Sequence, residues 1–211
     1  MKTVGSKSAL AIELSHVKGF NSPKVRLEQY QTESEVAADM LWIAYMSGNI
    51  EDKHIIDAGA GTGILGIGAL MLGASHVTFI EKDPEAIVIL ENNLKLKISE
   101  ELIEDNSYSI EEKDIKNADT KADTTIQNPP FGVKNRKADK IFLEKAISNT
   151  DITYSLHKSE SQSFINALCK DMKCKVIGRV DYNYPLKQTY AYHTKRIQRI
   201  NVTCFIISKH F

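Results

Sequence analysis

The sequence predicts an α/β protein whose mainly parallel sheet carries helices on both faces. From Lys53 onward, short apolar segments alternate with segments whose apolar residues recur at helical spacing, and the connections are short. Alternating strands and helices form a parallel sheet that is covered on both sides. The last two β-rich segments have no helix between them, which predicts a closing antiparallel pair. Ligands of such sheets bind at the carboxyl ends of the strands.

Each element follows from its own pattern. Apolar residues at helical spacing predict a helix within residues 27–48. Pro84 fits the first turn of a helix and therefore begins the helix after the second strand. Pro185 is expected to separate the last two strands. The predicted strands are residues 55–56, 77–80, 107–110, 124–127, 152–156, 175–184 and 197–208, and further helices are expected over 64–72, 141–147 and 159–171.

Length and composition indicate one globular domain. The chain has 211 residues, of which 42% are hydrophobic and 26% charged, so it can bury a core and is not disordered by default. We expect a single domain over residues 1–211, with an N-terminal helical extension (1–50) and an α/β core (51–211). The longest apolar run, residues 64–74, is too short to span a bilayer, and Glu13 and His16 interrupt any signal peptide.

The cysteines and the charge distribution bear on compartment and partners. The three cysteines lack the spacing of zinc or redox pairs, so we expect no metal site and a reducing, cytoplasmic compartment. Residues 27–131 carry a net charge of −13, whereas residues 132–211 carry +9 and residues 1–26 carry +4. Basic ends beside an acidic middle favour contact with a polyanion. The same charge distribution also arises when basic and acidic side chains only keep different parts of the surface hydrated.

The turn after the first strand is a candidate cofactor site. Its sequence is Asp57-Ala58-Gly59-Ala60-Gly61-Thr62-Gly63, and glycine lets the backbone approach a ligand closely. The glycines recur at every second residue and follow an acidic residue, unlike the G-x-G-x-x-G loop of dinucleotide sites. A carboxylate disfavours a pyrophosphate but suits a cofactor with an amino group and a sulfonium. Glu81 can accept hydrogen bonds from a ribose diol, and Asp114-Ile115 can contact the edge and face of an adenine ring. The alternative is that the glycines are structural and the acidic residues lie on the surface.

A candidate catalytic motif, Asn128-Pro129-Pro130-Phe131, follows the fourth strand. The prolines fix φ and remove backbone donors, which leaves carbonyl groups available. The exocyclic amine of an adenine base has two N–H groups, which the Asn128 amide oxygen and the Pro129 carbonyl can accept. Phe131 can stack on the ring of the same base. Catalysis would then depend on placement and on dipoles that stabilise positive charge on nitrogen. A rigid turn with Phe131 packed on the next helix is the structural alternative.

These residues resemble the class I S-adenosylmethionine-dependent methyltransferases, and the resemblance spans most of the chain. It implies a Rossmann-like fold with a mainly parallel seven-stranded sheet and an antiparallel C-terminal strand. It also implies S-adenosylmethionine as the cofactor, with the glycine-rich loop at the methionine part and Glu81 at the ribose. The Asn-Pro-Pro-Phe motif is typical of methyltransferases that act on planar amide or amine nitrogens, and its Phe resembles their nucleic-acid branches.

Three segments together resemble the methyltransferase-like-five family of rRNA adenine-N6 methyltransferases more specifically. They are residues 27–32 (LEQYQT), 128–135 (NPPFGVKN) and 154–158 (YSLHK). Gln31 replaces the usual Pro and Gln127 an apolar residue, and neither change removes a reacting group. Eukaryotic members pair with a small zinc-containing activator protein through an exposed sheet edge. The resemblance implies that Gln29 and Thr32 close over the cofactor together with Asp57, Gly59, Thr62, Ile64, Glu81, Asp114 and Ile115.

Basic residues near the catalytic motif are candidates for RNA binding. They are Lys134, Arg136, Lys137, His157 and Lys158. Further basic residues are interleaved with tyrosines in the tail, a combination that suits phosphate neutralisation and base stacking. A solvated basic surface, or one face of a β-hairpin, is the alternative.

We therefore predict an enzyme that transfers a methyl group from S-adenosylmethionine to adenine N6 in structured RNA, with rRNA as the expected substrate and no membrane association. Other enzymes with this motif methylate protein glutamine, DNA adenine or RNA guanine. Phe131 and the absence of room for further domains argue against the glutamine and DNA versions. A non-catalytic scaffold that binds cofactor or RNA is the alternative of a different class, and its expected signature is a broken Asn-Pro-Pro-Phe motif.

Overall fold

A computed structural model describes residues 4–131, 138–187 and 197–210. The helices are α1 (Lys7–Ser15), α2 (Ser34–Met46), α3 (Ile64–Met71), α4 (Pro84–Ser99), α5 (Ala138–Asn149) and α6 (Gln162–Asp171), with single 3₁₀ turns at Val25–Leu27, Ile115–Asn117 and Ser159–Ser161. The strands are β1 (His54–Ala58), β2 (His76–Glu81), β3 (Tyr108–Glu112), β4 (Thr124–Gln127), β5 (Ile152–Lys158), β6 (Lys175–Lys187) and β7 (Ile197–Ser208).

All seven strands form one sheet in the order β3-β2-β1-β4-β5-β7-β6. The pairings from β3 across to β5 are parallel, and β7 runs antiparallel to both of its neighbours. The predicted mainly parallel sheet with an antiparallel C-terminal strand is confirmed. The chain moves outward from β1 to β3 and then returns to place β4 on the other side of β1. The carboxyl ends of β1 and β4 therefore flank the point where the strand order reverses, which is where such sheets bind ligands.

One boundary in the tail differs from the prediction. Pro185 was expected to separate the last two strands, but β6 continues through it to Lys187, and Pro185 lies opposite Arg199 of β7. A proline removes one backbone donor, which a central strand does not tolerate. Because β6 is at the edge of the sheet, the missing donor costs no pairing with a second strand.

Alternate residues of the strands bury two opposite faces. Ile55 of β1 packs in a core shared with helices α1 to α4, whereas its neighbour Ile56 faces the other side. That second face is covered by α5 and α6, through residues such as Leu143 and Ile165. The N-terminal helix α1 belongs to the main core, since Leu10 and Leu14 are fully buried there. Truncating either leucine should cost about 2–5 kcal/mol of stability.

Among the described residues, no helix combines the length and the apolar character needed to cross a lipid bilayer.

Candidate functional site

A cleft that is partly open to solvent lies at the carboxyl ends of β1, β2, β3 and β4. The segment before α2, residues 26–32, forms its opposite wall. Most of the cofactor and catalytic residues predicted from the sequence are therefore brought together in one place, although Gly63, Pro129 and Phe131 do not line the cleft. The predicted residues that line it are Gln29, Thr32, Asp57, Gly59, Gly61, Thr62, Ile64, Glu81, Asp114, Ile115, Asn128 and Pro130.

Asp57 is the penultimate residue of β1, and its carboxylate is buried in the cleft wall. Its side chain is only 2% exposed, and Oδ2 accepts the backbone N–H of Gly66 at 2.8 Å. Burial raises the pKa of Asp57 to about 7, the Gly66 hydrogen bond opposes this rise, and the charge of Glu81 adds to it. No described residue pairs this carboxylate with a cation. A cationic group of a ligand would stabilise the ionised form.

Glu81, the last residue of β2, holds the glycine-rich loop (residues 59–63) by accepting a hydrogen bond from its backbone. One carboxylate oxygen of Glu81 accepts the N–H of Gly61 at 2.8 Å, and the other accepts the N–H groups of Lys82 and Asp83 at 2.8 and 2.9 Å. A carboxylate has about four acceptor positions, so Glu81 retains capacity for a ligand hydroxyl. Glu81 therefore fixes the loop in addition to facing the cleft.

Gly63 ends this loop and is the N-cap residue of α3. It precedes α3 with φ of 91°, a conformation that residues with a Cβ rarely adopt, and a Cβ there would collide with the Leu90 side chain. The loop is fixed further by Asn93 of α4, which the sequence analysis missed. The buried Asn93 amide donates to the carbonyl oxygens of Lys18 and Thr62 at 3.0 and 2.9 Å.

The turn after β3 places Asp114 and Ile115 at the far end of the cleft. Asp114 Oδ1 accepts the backbone N–H of Lys116 at 3.1 Å, and Oδ2 lies 3.4 Å from Lys82 Nζ. Burial raises the pKa of Asp114, but the Lys116 hydrogen bond and the charge of Lys82 outweigh it, so the pKa is lowered overall. Asp114 is therefore an anion beside the buried side chain of Ile115.

Gln29 connects the N-terminal wall to the start of α4. Its Nε2 donates to Asp83 Oδ2 at 2.6 Å, and its Oε1 accepts the N–H of Lys24 at 2.8 Å. Lys24 Nζ lies 2.7 Å from the second oxygen of Asp83. Asp83 was also missed by the sequence analysis, although Asp83-Pro84 is a typical start of a helix, and Asp83 caps α4 through the N–H of Glu85.

The candidate catalytic motif, Asn128 to Phe131, contacts the same N-terminal wall. Asn128 Nδ2 donates to the Thr32 hydroxyl at 2.8 Å, which directs Asn128 Oδ1 away from Thr32 as an acceptor. The Tyr30 hydroxyl donates to this oxygen at 3.1 Å and is also 3.3 Å from the Pro129 carbonyl oxygen. The Tyr30 ring lies beside Phe131, with 5.0 Å between ring centroids and 37° between planes. Tyr30 was missed, although it stands between the two predicted residues Gln29 and Thr32.

The prediction that His157 contacts RNA is wrong. β5 continues to Lys158, so His157 lies within the sheet, is 1% exposed and packs against Phe205. Its Nε2 is 2.6 Å from the hydroxyl of Ser155, which also accepts a 2.8 Å hydrogen bond from Gln127. Burial lowers the pKa of His157 to about 4, so the ring is neutral at physiological pH. A buried neutral ring cannot bind a phosphate.

The other predicted RNA contacts are described only in part. Lys158 ends β5, and its Nζ lies 3.7 Å from the carboxylate of Glu160. Lys134, Arg136 and Lys137 lie outside the described residues.

Comparisons with known proteins agree with this geometry. Residues 37–185 match the model of a family described as conserved hypothetical protein 95. The chain is 34% identical to the rRNA N(6)-adenosine-methyltransferase METTL5 of Danio rerio, over 90% of this chain and 92% of the relative. It is 32% identical to the rRNA N(6)-adenosine-methyltransferase of Drosophila melanogaster, over 90% of each chain. A Pyrococcus horikoshii crystal structure, described as that of a proposed RNA methyltransferase, superposes with a TM-score of 0.89 at 38% identity and full coverage of both chains.

Proposed function

We propose that this chain, which belongs to the family described as conserved hypothetical protein 95 and also to the methyltransferase-like-five family, methylates N6 of an adenine in rRNA. The resemblance inferred from three sequence segments is thereby confirmed. The enzyme is an S-adenosylmethionine-dependent methyltransferase. The observation that carries the proposal is that one oxygen atom, the Tyr30 hydroxyl, is within 3.3 Å of both Asn128 Oδ1 and Pro129 O. An amine nitrogen at that point can donate a hydrogen bond to each.

The cleft residues fit S-adenosylmethionine chemically. This cofactor supplies an electrophilic methyl group on a positively charged sulfur, and it also carries an amino group, a ribose diol and an adenine. Three carboxylates lie at the carboxyl ends of three adjacent strands of the sheet: Asp57 within β1, Glu81 at the end of β2 and Asp114 just after β3. Asp57 would stabilise the cationic amino-acid part, Glu81 would accept from the ribose hydroxyls, and Asp114 would accept from the adenine amine, with Ile115 beside the ring. The buried Asp57, with no cation among the described residues, supports this orientation.

The catalytic motif would act by holding the amine rather than by removing its proton beforehand. The Thr32 hydroxyl fixes the amide of Asn128, so that Oδ1 and the Pro129 carbonyl present two acceptor dipoles to the same nitrogen. These dipoles stabilise the positive charge that develops on nitrogen as the methyl group is transferred, and the proton can leave afterwards. Phe131 would stack on the base and fix its plane. A base in folded RNA must leave its stack to reach this site.

The test is methyl transfer to rRNA from a strain that lacks this gene, followed by mass spectrometry of the nucleosides. Wild-type protein should form N6-methyladenosine. Asn128→Ala should form none while binding S-adenosylmethionine nearly normally, because Asn128 is assigned to the target amine. Asn106→Ala, an exposed asparagine outside the cleft, is the matched control and should retain activity. Near-normal activity of Asn128→Ala would contradict the proposed geometry, and methylglutamine instead of methyladenosine would refute the substrate.

The proposal extends to the basic residues after the catalytic motif. Since residues 132–211 carry a net charge of +9, we expect RNA binding to weaken steeply with salt. Replacing Lys134, Arg136 and Lys137 by alanine should reduce the slope of log affinity against log salt by up to about 0.9 per charge. The control is a triple alanine variant at the exposed Lys95, Lys170 and Lys173. An unchanged slope in the first variant would show that its three charges only solvate the surface.

We also propose a cytoplasmic location and a small zinc-containing activator as a second partner. An edge strand and an exposed apolar side chain support the activator: β6 borders the sheet, and Ile177 on it is 53% exposed. A partner that adds a strand would cover both. Stimulation of methyl transfer by the activator in the wild type, and its loss in Ile177→Asp, is the expected result. Equal activity with and without the activator would refute the partnership.

A further inference from the structure

Tyr30 makes the contacts that the proposed function assigns to the target base. Its hydroxyl reaches Asn128 Oδ1 and Pro129 O at 3.1 and 3.3 Å, and its ring lies 5.0 Å from that of Phe131. An aromatic ring with a hydrogen-bond donor on its edge is also the chemistry of adenine. The tyrosine and the base therefore fit the same two acceptors and the same aromatic surface.

The two groups cannot use this place together. A base that stacks on Phe131 and donates from one amine to both acceptors needs its nitrogen where the Tyr30 oxygen now lies. The Tyr30 ring also lies 5.0 Å from the Phe131 ring, against which the base would stack. Binding of the base therefore requires the Tyr30 side chain to move away.

The backbone around Tyr30 is fixed on both sides. On one side Gln29 is bound to Asp83, and on the other Gln31 Nε2 donates to the carbonyl of Val17 at 3.0 Å. Thr32, two residues further, is held by Asn128 at 2.8 Å. A rotation of the Tyr30 side chain can consequently open the base site without displacing the wall of the cofactor cleft.

We propose that Tyr30 is a specificity-determining residue that occupies the base site in the RNA-free enzyme and yields to a base able to replace both its hydrogen bond and its ring contact. This inference rests on the proposed function. An exocyclic amine satisfies the two acceptors, whereas the carbonyl oxygen of a 6-oxopurine would face them acceptor to acceptor. Tyr30 thus competes with an amine-bearing purine, which can replace the contacts that Tyr30 makes. A 6-oxopurine, which both acceptors repel, does not bind there whether Tyr30 is present or not.

The test measures binding of free adenine and free hypoxanthine to protein saturated with S-adenosylhomocysteine, so that the cofactor site is filled. Removing the competing side chain in Tyr30→Ala should tighten adenine binding at least about tenfold and leave hypoxanthine binding unchanged. Tyr30→Phe keeps the ring and loses only the hydroxyl, so its gain should be smaller. Tyr45→Ala, beside Trp42 on α2 and outside the cleft, is the control and should behave as wild type.

An adenine affinity of Tyr30→Ala equal to or weaker than that of wild type would overturn the inference. If Tyr30→Ala does not fold, the gain of Tyr30→Phe over wild type decides in the same way. The proposed function is judged separately, by formation of N6-methyladenosine with the wild-type protein. Methylation without a gain in adenine affinity would refute the role of Tyr30 alone, and a gain without methylation would refute the proposed reaction alone.

Discussion

Replacing Asp57 with asparagine should change how the stability of the protein depends on pH. In the folded protein the pKa of Asp57 is raised to about 7 by burial, against an ordinary value of 3.8. A group with a raised folded-state pKa contributes stability that is fully present below the unfolded pKa and is lost as pH rises through the folded pKa. Wild-type stability should therefore fall between pH 4 and pH 7 because of this one carboxyl group. Asparagine does not titrate, so the variant lacks the fall.

The size of the effect follows from the separation of the two pKa values. A separation of roughly 3 pH units, at about 1.4 kcal/mol each, amounts to roughly 4 kcal/mol. The free energy of unfolding of Asp57→Asn minus that of wild type should thus rise by this amount between pH 4 and pH 8. Any constant cost of placing an amide beside the Gly66 N–H cancels from the change with pH. Urea titrations at fixed ionic strength, followed by the fluorescence of the single tryptophan, Trp42, measure both curves.

A matched control comes from another buried carboxylate, Asp83, which Gln29 connects to the wall of the cleft. Burial raises the pKa of Asp83, but hydrogen bonds from Lys24 and Gln29 outweigh it, and the pKa is lowered overall. The difference between Asp83→Asn and wild type should therefore be flat from pH 5 to pH 8. Parallel pH profiles of Asp57→Asn and wild type would show that Asp57 is hydrated and ionised, and the reasoning about its burial would be wrong.

Three further outcomes are expected. Burial lowers the pKa of the His157 ring to about 4, so this ring contributes stability that is present above pH 6.5 and is lost as pH falls through 4. The NMR chemical shifts of the ring should stay constant from pH 8 to pH 5.5, and a titration midpoint near pH 6.5 would contradict its burial. In thermal unfolding, Gly63→Ala should destabilise the protein by about 1–3 kcal/mol more than Gly48→Ala. Both glycines have positive φ, but of the two only Gly63 would bring a Cβ into collision with a side chain, and equal losses of stability in the two variants would contradict this packing. Glu81→Ala should weaken S-adenosylmethionine binding by about 1.5–3 kcal/mol in calorimetry, and tight NAD binding by the wild type would refute the cofactor assignment.

The sheet and the cleft could be predicted because their signals are local. The alternation of apolar segments determines that β1 to β4 are parallel, and parallel strands bring their carboxyl ends to one edge. Asp57, Glu81 and Asn128 each directly follow a strand predicted from the sequence, so their meeting in one cleft follows from topology alone. No knowledge of side-chain packing is needed for that step.

The missed residues act through contacts between distant parts of the chain. The Asn93 contact with Lys18 joins residues 75 positions apart, and the Tyr30 contact with Asn128 joins residues 98 apart. Neither partner has a pattern that identifies the other. The error at His157 has a different cause, since strand boundaries are uncertain by a few residues and side chains alternate between faces. Extending β5 to Lys158 turned a predicted surface residue into a core residue.

The hydrogen bond between Thr32 and Asn128 has a consequence for the sequence of events in a catalytic cycle. Gln29 and Thr32 lie three positions apart, so one short piece of chain forms the wall of the cleft and also holds the Asn128 amide. On the proposed assignments, a displacement of this piece that carries Thr32 away also releases the Asn128 amide. We therefore expect passage of a cofactor past this wall and correct presentation of the amine acceptors to exclude each other in time. The expected kinetic signature is compulsory order: the cofactor enters before the RNA base, and the methylated base departs before the spent cofactor.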